Sequence, residues 1–277
     1  MLKIWDLEHS DKKSGIPVLL RSVKVQHGNR PHPISSIALA SGLSHLAIGL
    51  SDGTVLFYRQ LDQYLFANSN NITNLPKPRV VHESKGEPIT ALGFREPKTT
   101  DDPKTEYLYL FIVTTNHVYS YQATGRGSGS TPVVVDELGC DLGCAVVNHR
   151  ATDMIVAREE AIYSAHAEGR GGCWVYEGPK SSVLMHRNYL VIVSPPFVPT
   201  AGSASATVRH LVARTPGISS GAVDISKVTI FDLENNLVGH SSTFREGVRE
   251  VFSSWGSVFV LCNDGKVCDP SPMSAFD

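Results

Sequence analysis

The stretch Leu46-Ala47-Ile48-Gly49-Leu50-Ser51-Asp52-Gly53-Thr54-Val55-Leu56-Phe57-Tyr58 decides how the rest of the chain is read. An unbroken apolar run meets a three-residue turn and continues as a second run rich in β-branched and aromatic side chains. Continuous apolar runs of this length suit a strand buried on both faces. Asp-Gly supplies the positive φ that a tight hairpin needs. The stretch therefore predicts two central, antiparallel strands of a sheet.

Outward from it, the same grammar recurs. Buried-strand runs are expected at Leu108 to Thr114, Met154 to Ala157, Tyr189 to Val193 and Val258 to Cys262. Three of these are followed by a short turn and a further strand: Asn116 and then His117 to Tyr121, Glu159-Glu160 and then Ala161 to Ala165, and Asn263-Asp264-Gly265 and then Lys266-Val267. A strand is predicted before each buried run, at Ile34 to Ala40, Ile89 to Arg95, Cys144 to Asn148, Val183 to His186 and Val248 to Phe252. Fourth strands are placed at Val80 to His82, Val133 to Val135 and Cys173 to Tyr176.

The repeating unit is three to four antiparallel strands. Centred on Ile48, Ile112, Ile155, Ile192 and Val260, the units stand 64, 43, 37 and 68 residues apart. A propeller blade runs to roughly 40–45 residues. The fold class is all-β, a WD-repeat-like β-propeller of about five to six blades, incomplete as it stands. Residues 1–268 form the partial propeller, with residues 61–78 and 195–226 as insertions in loops or disorder, and residues 269–277 form a divergent tail. Lys3-Ile4-Trp5-Asp6-Leu7 reads as the third strand of a blade whose first two strands are missing, and the chain looks cut at both ends.

Composition excludes several classes. Hydrophobic residues make up 42% of 277, which is globular rather than disordered. A net charge of −2 predicts no field for nucleic acid. No apolar run reaches the about 18–20 residues of a membrane span, and the N-terminus carries no apolar signal region. Five cysteines in so long a chain argue against a disulfide framework and fit a reducing compartment. The sequon at Asn71-Ile72-Thr73 is read as chance.

The chemical motifs are weak. Gly49-Leu50-Ser51-Asp52-Gly53 matches the G-x-S-x-G nucleophile elbow, which needs strand, sharp turn and then helix to expose its serine. Thr54 to Tyr58 is strand-forming, so a hairpin is the better reading and a hydrolase using Ser51 the remote alternative. Gly125-Arg126-Gly127-Ser128-Gly129-Ser130 lacks the Lys-Ser/Thr of a P-loop and reads as an interblade loop. Cys140 and Cys144 are the only close cysteine pair. A zinc site would want a second pair, which His149 and His166 do not supply, so buried core thiols are expected. Asp101-Asp102 and Glu159-Glu160 read as solvated charges, and Gly28-Asn29-Arg30-Pro31 as a turn between blades. No catalytic, cofactor-binding or metal residue is assigned, and no cofactor is expected.

With these residues in place, the chain resembles a known family. Ala47 to Val55, Pro88 to Arg95, Leu110 to Thr115, Leu138 to Cys144, Tyr189 to Ser194 and Ser254 to Val258 are similar, in order and spacing, to segments of the vacuolar protein sorting-associated protein eleven (Pep-five) family. The resemblance implies an N-terminal propeller that in the family precedes an α-solenoid and a zinc-binding RING domain. It implies a non-catalytic subunit of the HOPS and CORVET tethering complexes, in vesicle docking, membrane fusion and vacuolar protein transport. The implied partners are other subunits of those complexes and the endosomal fusion machinery, with no nucleic acid and no small-molecule substrate. The implied location is cytoplasmic, peripheral on late endosome and vacuole or lysosome membranes. A generic WD-repeat adaptor outside membrane traffic is the alternative with the same fold.

Overall fold

The computed structural model describes residues 1–10, 14–28, 31–66, 75–97, 107–125, 128–195 and 225–270. The sequon at Asn71, Asn29-Arg30, Asp101-Asp102, Arg126-Gly127, most of the second insertion and the tail from Ser271 onward lie outside them.

Among the described residues the strands form six sheets in chain order. The first pairs β1 (Leu2–Ser10) with β2 (Pro17–Val23). The second is β3 (Ile34–Leu39), β4 (His45–Leu50), β5 (Thr54–Arg59) and β6 (Arg79–Glu83). The third is β7 (Ile89–Arg95), β8 (Tyr109–Thr114), β9 (Val118–Gln122) and β10 (Val133–Asp136). The fourth is β11 (Ala145–Asn148), β12 (Asp153–Ala157), β13 (Ala161–His166) and β14 (Gly169–Val175). The fifth is β15 (Ser182–His186), β16 (Tyr189–Ser194), β17 (Ser226–Asp232) and β18 (Leu237–Phe244). The sixth is β19 (Val248–Ser254), β20 (Ser257–Cys262) and β21 (Val267–Cys268).

The four complete sheets are antiparallel meanders, each strand beside its neighbours in sequence. These are the blades of an incomplete β-propeller. All five expected buried runs are second strands: β4, β8, β12, β16 and β20. One segment departs from a plain loop reading: residues 61–78 open with a short helix, α1 (Leu61–Phe66), which buries Leu61 and Leu65.

The chain divides into two compact units, Met1–Val156 with Tyr163–Gly172 and Ala157–Ile162 with Cys173–Asp277. In the first unit successive sheets stack face to face, because their central strands are apolar on both sides. Leu46, Ile48 and Leu50 of β4, with Leu56 and Tyr58 of β5, face one way and meet Leu2, Ile4 and Val23 of the first sheet. The alternate residues Ala47, Val55 and Phe57 face the other way and pack with Ile89, Phe94, Leu110, Ile112 and Tyr121 of the third sheet. The third sheet approaches the fourth so closely that a Cβ on Gly93 would lie 2.0 Å from a Val147 methyl. A strand glycine often marks such an approach. In the second unit Val191, Val193 and Val228 pack with Val258, Val260 and Cys262. Full burial of one such aliphatic side chain contributes about 1.5–3 kcal/mol.

One device recurs where the chain leaves a sheet. The departing linker donates a backbone N–H to the start of the third strand or to the turn before it. Ser84 N bonds Gly53 O at 3.1 Å, Cys140 N bonds Thr114 O at 3.1 Å and Gly178 N bonds Glu159 O at 2.9 Å. In the fifth sheet the acceptor is a side chain: Val248 N bonds Ser226 Oγ at 3.2 Å. A buried lysine reinforces the linker that enters the fifth sheet. Lys180 Nζ donates to the carbonyls of Arg158, Tyr176 and Gly178 and lies 5.2 Å from the Tyr176 ring centroid. Its charge is thus met by carbonyl dipoles and a ring face.

Candidate functional site

Ser51 lies in the turn between β4 and β5, where its backbone N–H bonds Pro33 O at 2.9 Å. The strand β5 stands where a nucleophile elbow would require a helix. Asp52 accepts the Thr54 N–H at 3.0 Å, and Gly53 takes φ +90°. The glycine-serine motif is therefore hairpin chemistry. Gly125 lies three residues past the end of β9, and its carbonyl accepts the Ser128 N–H at 3.0 Å. Cys140 and Cys144 are both buried, as expected of core thiols. Glu159 and Glu160 occupy the β12–β13 turn, Glu160 bonding Arg158 Nε at 2.8 Å.

The same end of the second and third sheets gathers residues that the sequence analysis left scattered. The turn before β5, the end of β6, the linker into β7 and the β8–β9 hairpin lie together there. His32 Nε2 pairs with Asp52 Oδ2 at 3.3 Å, and His27 Nε2 with Glu83 Oε1 at 3.1 Å. Glu87 Oε2 accepts the Thr114 hydroxyl at 3.1 Å and pairs with His117 Nδ1 at 3.1 Å. Its bond to His117 is the main reason that the Glu87 carboxyl lies below the usual range. His117 N in turn donates to Thr114 Oγ1 at 2.9 Å. The Tyr119 ring stands between two imidazoles, 4.5 Å from His82 and 5.7 Å from His117. Burial lowers the His82 pKa and raises that of Tyr119.

The arrangement pairs imidazoles with carboxylates. Its hydroxyl nearest to a base, on Thr114, is fully buried and already donates to Glu87. What faces solvent is a ridge of imidazole–carboxylate pairs, able to exchange hydrogen bonds and charge with a partner surface. At the opposite end of the unit's sheets, a cavity of about 360 Å³ is lined by Ser41, Arg95, Glu96, His149 and Thr152 among others. Its cation is engaged from inside: Arg95 NH1 bonds Glu168 Oε1 at 2.9 Å and the guanidinium lies 5.1 Å from the Tyr109 centroid. His149 is thus on a cavity wall, and His166 ends β13.

Among its described residues the second unit pairs serine with histidine twice: His240 Nε2 and Ser242 Oγ of β18 are 2.7 Å apart, and the other pair spans two sheets. His186 Nδ1 and Ser253 Oγ are 2.7 Å apart. His186 is buried, its Nε2 has no carboxylate partner among the described residues, and burial lowers its pKa against a backbone hydrogen bond with Gly256. A triad would place a carboxylate on that nitrogen to orient the ring; here the pair is a cross-strand contact between β15 and β19. Sequence spacing gave no sign of this pair or of the ridge, because the paired histidines and their partners lie 20 to 67 residues apart.

Comparison with known proteins agrees with the fold. Vacuolar protein sorting-associated protein 11 homolog of Homo sapiens is 32% identical over 272 residues, covering 96% of this chain and 25% of the relative. The homolog of Mus musculus is 31% identical over 274 residues, and that of Dictyostelium discoideum 28% over 279 residues, each again covering 96% of the chain. The chain spans about a quarter of the length of these relatives. The family described as PEP5/VPS11 N-terminal matches residues 1–269. A family match over nearly the whole chain, with relatives 31–32% identical across 96% of it, shows that the chain belongs to the PEP5/VPS11 N-terminal family.

Proposed function

We propose that this chain is the propeller portion of a non-catalytic subunit of HOPS- and CORVET-type tethering complexes. In this role it takes part in vesicle docking, membrane fusion and vacuolar protein transport through protein–protein contacts. The observation that supports the reading is the family match across residues 1–269. The names of the relatives place those proteins in vacuolar protein sorting. The geometry supports binding as well: the first unit presents paired charges on hairpin ends and linkers held by a rigid stack of sheets, the usual arrangement for recognition loops. Partners are other subunits of the complexes and the endosomal fusion machinery. Membrane association on late endosome and vacuole or lysosome is indirect, and among the described residues no helix is long and apolar enough to cross a membrane.

The test is co-precipitation from cells of the longer protein carrying this chain, tagged, beside an unrelated propeller. Enrichment of the other tethering subunits, with the protein on late endosomal or vacuolar membranes, is the expected result. Recovery no better than with the control propeller would overturn the assignment.

A further inference from the structure

β10 is the outer strand of the third sheet, with one edge paired to β9 and the other, among the described residues, free. The outer strands of the other complete sheets each carry a feature that discourages pairing with a further strand. β6 begins and ends with charge, Arg79 and Glu83; β14 contains three glycines; β18 contains Gly239 and a register shift against β17. Charges, glycines and bulges of this kind are how edges are protected. β10 also ends in a charge, Asp136, and shifts register after Val134, but it opens with Val133-Val134-Val135, an uncharged β-branched run in which Val133 is 63% and Val134 47% exposed.

A groove of about 520 Å³ runs beside this edge, lined by Val134, Val135, Asp136, Glu137, Leu138 and Arg170. Its charges are unequal. Asp136, largely buried, accepts the Leu138 N–H at 3.0 Å and pairs with Arg170 Nε at 3.3 Å. Arg170 is further held over the Tyr163 ring at 4.8 Å. Among the described residues lining the groove the one cation is therefore engaged, while Glu137 is exposed.

We propose that the free edge of β10 and its groove form a docking site for a short extended peptide segment of a partner protein, with apolar side chains alternating with lysine or arginine. The free edge offers unpaired backbone groups, which select a strand. The valines select apolar neighbours across the new pair, and Glu137 selects a cation. The register shift between Val134 and Asp136 restricts the pairing to the valine run, so the segment is short. The proposal rests on reading the chain as a protein-binding subunit. Its test uses no tethering partner, so failure here leaves the co-precipitation result to stand by itself.

The probe is a labelled hexapeptide of alternating valine and lysine, titrated into the 277-residue chain beside its valine–glutamate counterpart. Anisotropy reports binding, and amide hydrogen exchange reports where. The expected result is saturable binding of the lysine peptide, with slowed exchange confined to residues 133–136 and a preference of roughly tenfold over the glutamate peptide. Val134→Pro removes an edge N–H and should abolish binding. Glu137→Lys, at an exposed position that leaves the sheet intact, should reverse the preference. No saturation, equal binding of both peptides or protection elsewhere would overturn the proposal. So would concentration-dependent self-association lost in Val134→Pro, which would give the edge to a second copy of the chain.

Discussion

The second and fifth sheets share one strand order and one core logic, yet they hold their third strands differently. In the second, β4 and β5 are joined by the turn Ser51-Asp52-Gly53, and backbone geometry sets the register. In the fifth, β16 ends at Ser194 and β17 begins at Ser226. Closing the longer connection costs about 2 kcal/mol more, since loop entropy rises only with the logarithm of length. No turn fixes the pairing there. Side chains must do so, and the register of β16 on β17 runs without a shift from Tyr189↔Asp232 to Ser194↔Lys227. A slip of one residue would turn the buried Val228 and Phe231 to the wrong face. A tight turn and a matched apolar pattern are thus interchangeable ways to place a strand.

The largest effects should come from the cores that the two sheets have in common. Ile48 of β4 and Ile192 of β16 are both fully buried. Ile48→Ala and Ile192→Ala should each cost about 2–5 kcal/mol, measured by urea unfolding. Trp174, whose Nε1 donates to Leu233 O at 2.9 Å, reports on the second unit, and Trp5 on the first. A loss below about 1 kcal/mol for Ile192→Ala alone would break the comparison, because the fifth sheet would then not rest on its own core.

The turn itself should matter next. At Gly53 a Cβ would stand 1.9 Å from Ser84 O in a backbone of φ +90°. Gly53→Ala therefore meets both a strained conformation and the linker that bonds to this turn. The expected cost is about 1–3 kcal/mol. The matching contact in the fifth sheet is a side chain, and Ser226→Ala removes only the acceptor for Val248 N, for about 1 kcal/mol. If hydrogen exchange shows the two linkers opening equally in these variants, the backbone and side-chain contacts are equivalent after all.

This contrast also explains what could be read in advance. Each second strand is legible because burial on both faces demands an unbroken apolar run, and each third strand is legible where a short turn announces it. β17 and β18 went unassigned because no hairpin turn announces β17. β18, with Gly239-His240-Ser241-Ser242, is polar and half exposed along its length. β2 is exposed at several positions as well. The ridge was illegible for another reason. His27–Glu83 and Glu87–His117 are products of sheet stacking, which no local pattern records.

The smallest predicted effect is on pH dependence, and it separates the two sheets by their buried imidazoles. His82 of β6 and His186 of β15 both have folded-state pKa values below the ordinary histidine value of 6.5, chiefly through burial. The unfolded chain therefore binds more protons than the folded one, and stability falls as pH falls. The contribution is complete above the unfolded value near 6.5, is lost as pH drops toward the folded value, and changes no further below it. His186→Asn, which can keep a bond to Ser253, should flatten the slope of stability between pH 7 and 5 in the second unit. His82→Gln should do the same in the first. There the flattening should be weaker, because Glu83 and Glu87 favour the charged imidazole while His117 opposes it, whereas at His186 the Arg187 charge adds to burial in disfavouring protonation and a backbone hydrogen bond with Gly256 opposes them. Equal slopes for wild type and His186→Asn, read by urea midpoints across that range, would show that His186 keeps its proton on folding.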